Sequence, residues 1–102
     1  MSINYKLYQS ALYVYLDGDL DNYNAQTIIS NLDELIDKHV YAKKVVFNLS
    51  GVTFMDSTGL GVILGRYKKL NNLDIPMYIE NPAITADKIL DLSGVYKIIP
   101  KY

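Results

Sequence analysis

The densest chemistry in this chain lies in one stretch, Phe54-Met55-Asp56-Ser57-Thr58-Gly59-Leu60-Gly61-Val62-Ile63-Leu64-Gly65. It sets a carboxylate, two hydroxyls and three glycines side by side, and four chemistries compete for it. The first is a phosphate-cradling loop. Gly59, Gly61 and Gly65 give G-x-G-x-x-x-G, and Glu80 ends a later strand at about the distance of a ribose-binding acid. Against this, residues 50–58 separate the first glycine from its strand, and Arg66-Tyr67 stand where a phosphate loop needs its lysine. The second is an aspartyl nucleophile at Asp56, which wants a second acid nearby for metal and proton handling. Position 58 is Thr, and no other acid is close in sequence. The third is structural: Asp56 or Ser57 caps a helix, and the glycines let that helix lie close to a sheet. The fourth is a regulatory phosphoacceptor. A hydroxyl at a helix N-terminus sits among unpaired amides at the positive end of the dipole. Phosphate there adds about two negative charges without unfolding the domain.

These residues need elements to hold them. Ile3, Tyr5 and Leu7 alternate with polar residues, Gln9-Ser10 break the run, and Leu12-Tyr13-Val14-Tyr15-Leu16 follow. Two strands across so short a break form an antiparallel hairpin, ended by Asp17-Gly18-Asp19. Ala25, Ile28, Ile29, Leu32, Leu35 and Ile36 then keep helical spacing, with Asn22 or Asn24 as cap and Lys38 and His39 in the last turn. Residues 45–49 read as a buried strand and residues 50–56 as a loop. A second helix is expected from Ser57 or Thr58 to about Leu70, with Leu60, Ile63, Leu64 and Tyr67 inward and Gly61 and Gly65 marking close packing. Met77-Tyr78-Ile79 form a strand after Pro76. A third helix lies between Asn81 and Leu92, with Gly94 past its end, and residues 95–99 read as a last short strand. Pro100-Lys101-Tyr102 is expected to add little to any apolar face.

The order β-β-α-β-α-β-α-β predicts an α/β domain: a mixed, mostly parallel sheet opened by an antiparallel hairpin, with helices packed on it. Sites in such sheets form at the carboxyl ends of the parallel strands, here residues 17–22, 50–57 and 80–85.

Composition narrows the classes. The chain has 102 residues, 50% of them hydrophobic and 21% charged, enough for one globular domain over 1–102. Lys+Arg 10 against Asp+Glu 11 leaves a net charge of -1, without the positive potential of a dedicated nucleic-acid binder. No apolar run approaches bilayer-spanning length, and the N-terminus has no signal-peptide core. With Cys 0 and one histidine, His39, there is no thiolate or histidine metal set and no cysteine nucleophile. A cytoplasmic chain without cofactor or metal, monomeric when free, is expected.

The stretch from Phe54 to Gly65, continued by Arg66-Tyr67-Lys68, resembles the signature of STAS-domain anti-sigma factor antagonists, nearest the sporulation branch that opposes the anti-sigma F factor. Gly18-Asp19-Leu20-Asp21 with Ala25 is similar to the family's element at the end of the second strand. Asp91-Leu92-Ser93-Gly94-Val95-Tyr96-Lys97-Ile98-Ile99 is similar to its ending. The likeness covers nearly the whole chain. Family members commonly carry one further C-terminal helix; this sequence stops at Tyr102, so that helix is either absent or cut off.

The resemblance implies a binding module and not an enzyme. Ser57, directly after the motif aspartate, would be the phosphoacceptor. An anti-sigma factor that is also a serine kinase, with its ATP or ADP, would be the partner and modify Ser57, and a serine phosphatase would reverse the change. The unphosphorylated form would capture the anti-sigma factor and release the sigma factor. Asp19, Asp21, Asp56, Ser57, Thr58 and Gly59 would form the partner-binding set. The readings outside this one are a small nucleotide-binding or phosphotransfer enzyme centred on Asp56 and the three glycines, and a STAS module of another signalling complex.

Overall fold

The structure is a computed structural model that describes residues 1–102. Its elements are β1 (Ser2–Tyr8), β2 (Ala11–Leu20), α1 (Ala25–Asp37), β3 (Lys44–Met55), α2 (Ser57–Asn72), β4 (Met77–Glu80) and α3 (Ile84–Leu92). They build one sheet in the order β1-β2-β3-β4. β1 pairs antiparallel with β2, and the other two pairings are parallel. The hairpin turns on Gln9 and Ser10 at φ 49° and 66°. Left-handed backbone at both central positions matches the turn's twist to that of the strands.

Both parallel strands at the site end run further than the sequence suggests. β2 continues through Asp17-Gly18-Asp19 to Leu20, and β3 through residues 50–55. Turn-forming residues are absorbed by register shifts between Tyr15 and Asp17 and between Gly18 and Asp19. Gly18 takes φ 118°, a backbone that residues with a Cβ rarely adopt. Phe54 is thereby held in ladder pairing opposite Asp19, and Met55 opposite Leu20.

Alternation along the strands sends Leu12, Val14, Leu16, Val45, Phe47, Leu49, Met77 and Ile79 to one face. There they join the inner faces of α1, α2 and α3 in a single buried cluster. The opposite face carries no helix, and tyrosine covers it. Val46 is fully buried but lies outside the main cluster, flanked in register by Tyr13 and Tyr78. Tyr102 closes over both, with ring centroids 6.1 Å and 5.3 Å away. Lys44 lies 4.7 Å from the Tyr102 ring. Tyrosine suits this duty, since its ring covers an apolar side chain such as Val46 and its hydroxyl stays wet.

The C-terminus corrects two expectations. Residues 95–99 are not a strand. Gly94, at φ 81°, ends α3, and a single 3-10 turn over Val95–Lys97 follows. That turn seats Val95 and Ile99 in the core. Pro100-Lys101-Tyr102 is not a dispensable tail either. The Ile79 N–H donates to the Pro100 carbonyl at 3.1 Å, and the Tyr102 N–H donates to the Ile79 carbonyl at 2.8 Å. The segment thus extends the β4 edge. No helix is long and apolar enough to cross a membrane.

Candidate functional site

The site is built where β2 and β3 end and α2 begins. Asp56 is the N-cap of α2, in extended backbone. One carboxylate oxygen, Oδ1, accepts the Gly59 N–H at 2.9 Å, and Oδ2 accepts the Asn22 N–H at 3.2 Å. One side chain therefore caps the helix and ties it to the loop after β2. The Gly59 N–H holds the Asp56 carboxyl below its usual pKa, the Asn22 N–H adds to this, and partial desolvation opposes both. Both Asp56 oxygens accept backbone amides, which gives the side chain a structural role at this junction.

Ser57 is the first residue of α2 and is exposed. Its hydroxyl makes no hydrogen bond within the protein, and Asp56 caps the helix in its place. Thr58 is half-buried beside it.

Gly59 is buried, and its reason to be glycine is steric. A Cβ there would lie 2.0 Å from the Leu20 carbonyl oxygen. It belongs to the site as the point where α2 is pressed onto β2, not as exposed contact surface. Gly61 and Gly65 differ from expectation: a Cβ at either meets nothing within 4 Å, so they do not mark close packing. All three glycines lie inside α2 and none in a loop before it, which removes the phosphate-cradling geometry. Glu80, the candidate ribose acid, accepts a hydrogen bond from Asn48 Nδ2 at 2.8 Å. No group of three or more His, Asp or Glu side chains is placed to hold a metal ion.

Asp19 and Asp21 complete the rim. Asp19 lies in β2, not in a turn. Its Oδ1 accepts from the Thr53 hydroxyl at 2.8 Å, and its carbonyl accepts from Asn24 Nδ2 at 3.1 Å. Asp21 Oδ1 accepts the Asn24 N–H at 3.0 Å; Asn24 is the N-cap of α1, but its side chain makes no capping bond. The chain's four ion pairs all lie elsewhere, so no cation is paired to Asp19, Asp21 or Asp56; Asp19 is exposed and the other two are half-buried.

Four further residues contribute to the site. Thr53 orients Asp19 from the neighbouring strand, and Asn22 offers Asp56 its backbone N–H, which no residue type advertises. Tyr23, 93% exposed, and Phe54, 51% exposed, set bare aromatic surface beside the acidic rim. For Tyr23 the flanking Asn22 and Asn24 were the available signal, and Phe54 stands at the head of the motif.

Against known proteins, the STAS domain matches residues 2–102. The chain belongs to the STAS domain family. Among curated relatives, an anti-sigma F factor antagonist of Paenibacillus polymyxa is 35% identical over 102 residues, covering 100% of this chain and 86% of that protein. An anti-sigma-B factor antagonist of Staphylococcus aureus is 30% identical over 84 residues, covering 80% of this chain and 74% of the relative. The fold superposes on the unphosphorylated form of the anti-sigma factor antagonist SpoIIAA with TM-score 0.78 at 22% identity, over 99% of this chain and 88% of that one. The STAS framework thus accounts for the sheet order and for the position of α2, whose first residue is Ser57.

Proposed function

We propose that this STAS domain is an anti-sigma factor antagonist acting as a cytoplasmic partner switch. Unmodified, it binds an anti-sigma factor serine kinase through the end of the sheet that carries Asp19, Asp21, Asp56, Ser57 and Thr58, and this binding releases the sigma factor. Phosphorylation of Ser57 turns the binding off, and a serine phosphatase restores it. The observation that carries the reading is the division of labour at the start of α2. Asp56 holds the helix, and the neighbouring Ser57 hydroxyl is exposed and has no structural duty. The anti-sigma factor antagonists among the relatives support it.

The physics of the switch is local. A neutral hydroxyl enters a desolvated interface at small cost, whereas a phosphate must shed water or find a cation. Here it also joins three carboxylates with no cation paired to them, and in a kinase site it would face the nucleotide phosphates. On the free domain the helix N-terminus stabilises it. Both effects favour the modified, unbound state. The domain contributes surface and an acceptor oxygen, and the kinase contributes the chemistry. Incubation with labelled ATP alone is expected to leave the protein unlabelled. Adding the cognate kinase labels wild type but not Ser57→Ala. Label without kinase, or label retained in Ser57→Ala, refutes the reading.

A further inference from the structure

The outer edge of the sheet is untouched by the function above. β1 is the edge strand, and every residue in it except Ile3 is exposed. The two-residue turn makes the flanking Tyr8–Ala11 pair a hydrogen-bonded one. By alternation, Lys6, Asn4 and Ser2 also turn their backbone groups towards β2. The N–H and C=O groups of Ile3, Tyr5 and Leu7 therefore point outward, unpaired. Tyr5 and Leu7 are 53% and 57% exposed. The usual guards of a free edge are missing, since β1 holds no proline and pairs with β2 without a bulge. Its one charge, Lys6, folds back over the rings of Tyr13 and Tyr15 at 5.3 Å and 5.9 Å.

We propose that this edge pairs with the same edge of a second copy, antiparallel about a two-fold axis at Tyr5, to give one continuous sheet. Three observations single out a second copy as the occupant. The strand is self-complementary in that register: Ile3 falls opposite Leu7 of the other copy, Tyr5 opposite Tyr5 and Asn4 opposite Lys6, so no like charges meet. The outward backbone groups of Ile3, Tyr5 and Leu7 match one another in that same pairing. The third is charge on the neighbouring helix. Grooves of about 330 Å³ and 300 Å³ run between β1 and α1, one lined by Ile3, Tyr5 and Glu34, the other by Leu7 and His39, with Lys38 at the border of both. The two-fold axis brings the Glu34 end of one copy to the Lys38 end of the other. Both side chains are about two-thirds exposed and positioned to exchange their internal 3.1 Å pairing for reciprocal pairs.

The axis leaves Ser57 free, because it lies two strands in from β1, and the two Ser57 sites stand at opposite ends of the joined sheet. On this proposal the chain forms a reversible dimer where the sequence reading expects a monomer.

Sedimentation equilibrium from micromolar to near-millimolar protein tests it. A monomer–dimer equilibrium is expected, and Leu7→Lys is expected to weaken it by about tenfold, since each change falls twice in the interface. The thermal transition of Leu7→Lys stays at the wild-type position. Because the chain has Cys 0, single cysteines report proximity directly. Tyr5→Cys is expected to oxidise to a covalent dimer much faster than Tyr23→Cys, which is more accessible but far from the axis. A monomer at every concentration overturns the proposal and leaves the edge to an extended segment of another protein. A dimer that Leu7→Lys leaves intact, or that cross-links no faster at Tyr5→Cys than at Tyr23→Cys, overturns it too.

Discussion

Two glycines two residues apart in α2 are expected to respond to alanine with opposite signs. At Gly59 a new Cβ would lie 2.0 Å from the Leu20 carbonyl oxygen, 2.9 Å from the Leu20 carbonyl carbon and 3.0 Å from its Cγ. The nearest of these atoms are backbone in the middle of the fold, so no side-chain rotation relieves the clash. An ordinary carbon–oxygen contact is about 3.3 Å, so α2 must lift from β2 by roughly 1.3 Å at this point. That movement strains the Asp56 cap, which bonds both Gly59 and Asn22. Overpacking of this kind costs about 1–3 kcal/mol, and alanine's helix propensity returns up to about 1 kcal/mol. The steric contact is severe enough that the net loss should sit near 2 kcal/mol, or roughly 10 °C in melting temperature for a domain this size. At Gly61 a Cβ meets nothing within 4 Å, and only the propensity gain remains. Gly61→Ala is expected to raise the melting temperature by about 4 °C. Thermal unfolding followed by far-ultraviolet circular dichroism reads both. Equal shifts, or a stabilised Gly59→Ala, would refute the close approach of α2 to β2.

Three further outcomes follow from the same geometry. The Asp56 pKa is lowered in the folded state, so its contribution to stability is complete above the unfolded value of 3.8 and is lost as pH falls through the folded value. Urea titrations at pH 7 and near pH 3 should show Asp56→Asn losing less between the two than wild type, while Asp87, lowered by the Tyr96 hydroxyl and Lys101, keeps some acid sensitivity in both. Arg66, 8% exposed, meets Asp33 of α1 at 3.0 Å from Nε, yet neither that nitrogen nor Nη1 has a well-directed hydrogen bond. Asp33→Ala should therefore destabilise by about 1–3 kcal/mol in chemical unfolding, whereas Arg66→Met with Asp33→Ala together should recover much of the loss. Asp19→Lys and Asp21→Lys should both weaken capture of the anti-sigma kinase, more at low salt than at high salt, with circular dichroism unchanged; wild-type affinity at every ionic strength would remove the acidic rim from the interface.

The elements were legible where the periodicity was unbroken. The 3-4 spacing of Ala25, Ile28, Leu32, Leu35 and Ile36 marks α1, and each of these residues is buried. The ends of β2 and β3 were not legible, because Asp17-Gly18-Asp19 and Ser50-Gly51 are turn formers by local preference. Only the register shifts of the pairing between these strands reveal that both continue. Residues 95–99 misread as a strand for a related reason: Val95 and Ile99 are apolar and four apart, and a short apolar run cannot by itself separate a strand from a helical turn. Within the site, the Asp56-Ser57 junction was readable from residue types and position. The roles of the glycines were not, since Gly59, Gly61 and Gly65 look alike until Leu20 is seen against only the first.

On the proposed function, modification of Ser57 switches the affinity for an anti-sigma kinase. The direct measurement is titration calorimetry of the nucleotide-loaded kinase with three forms of this chain: unmodified, Ser57→Ala and enzymatically phosphorylated. Because the Ser57 hydroxyl bonds to nothing in the fold, Ser57→Ala is expected to match wild type in stability and to bind comparably. The phosphorylated form is expected to lose ~3 kcal/mol, a more than hundredfold weaker complex, with its melting temperature unchanged or slightly raised. Phosphate found on Thr58 with Ser57 untouched, or a phosphorylated form that binds as tightly as the unmodified one, would contradict the account.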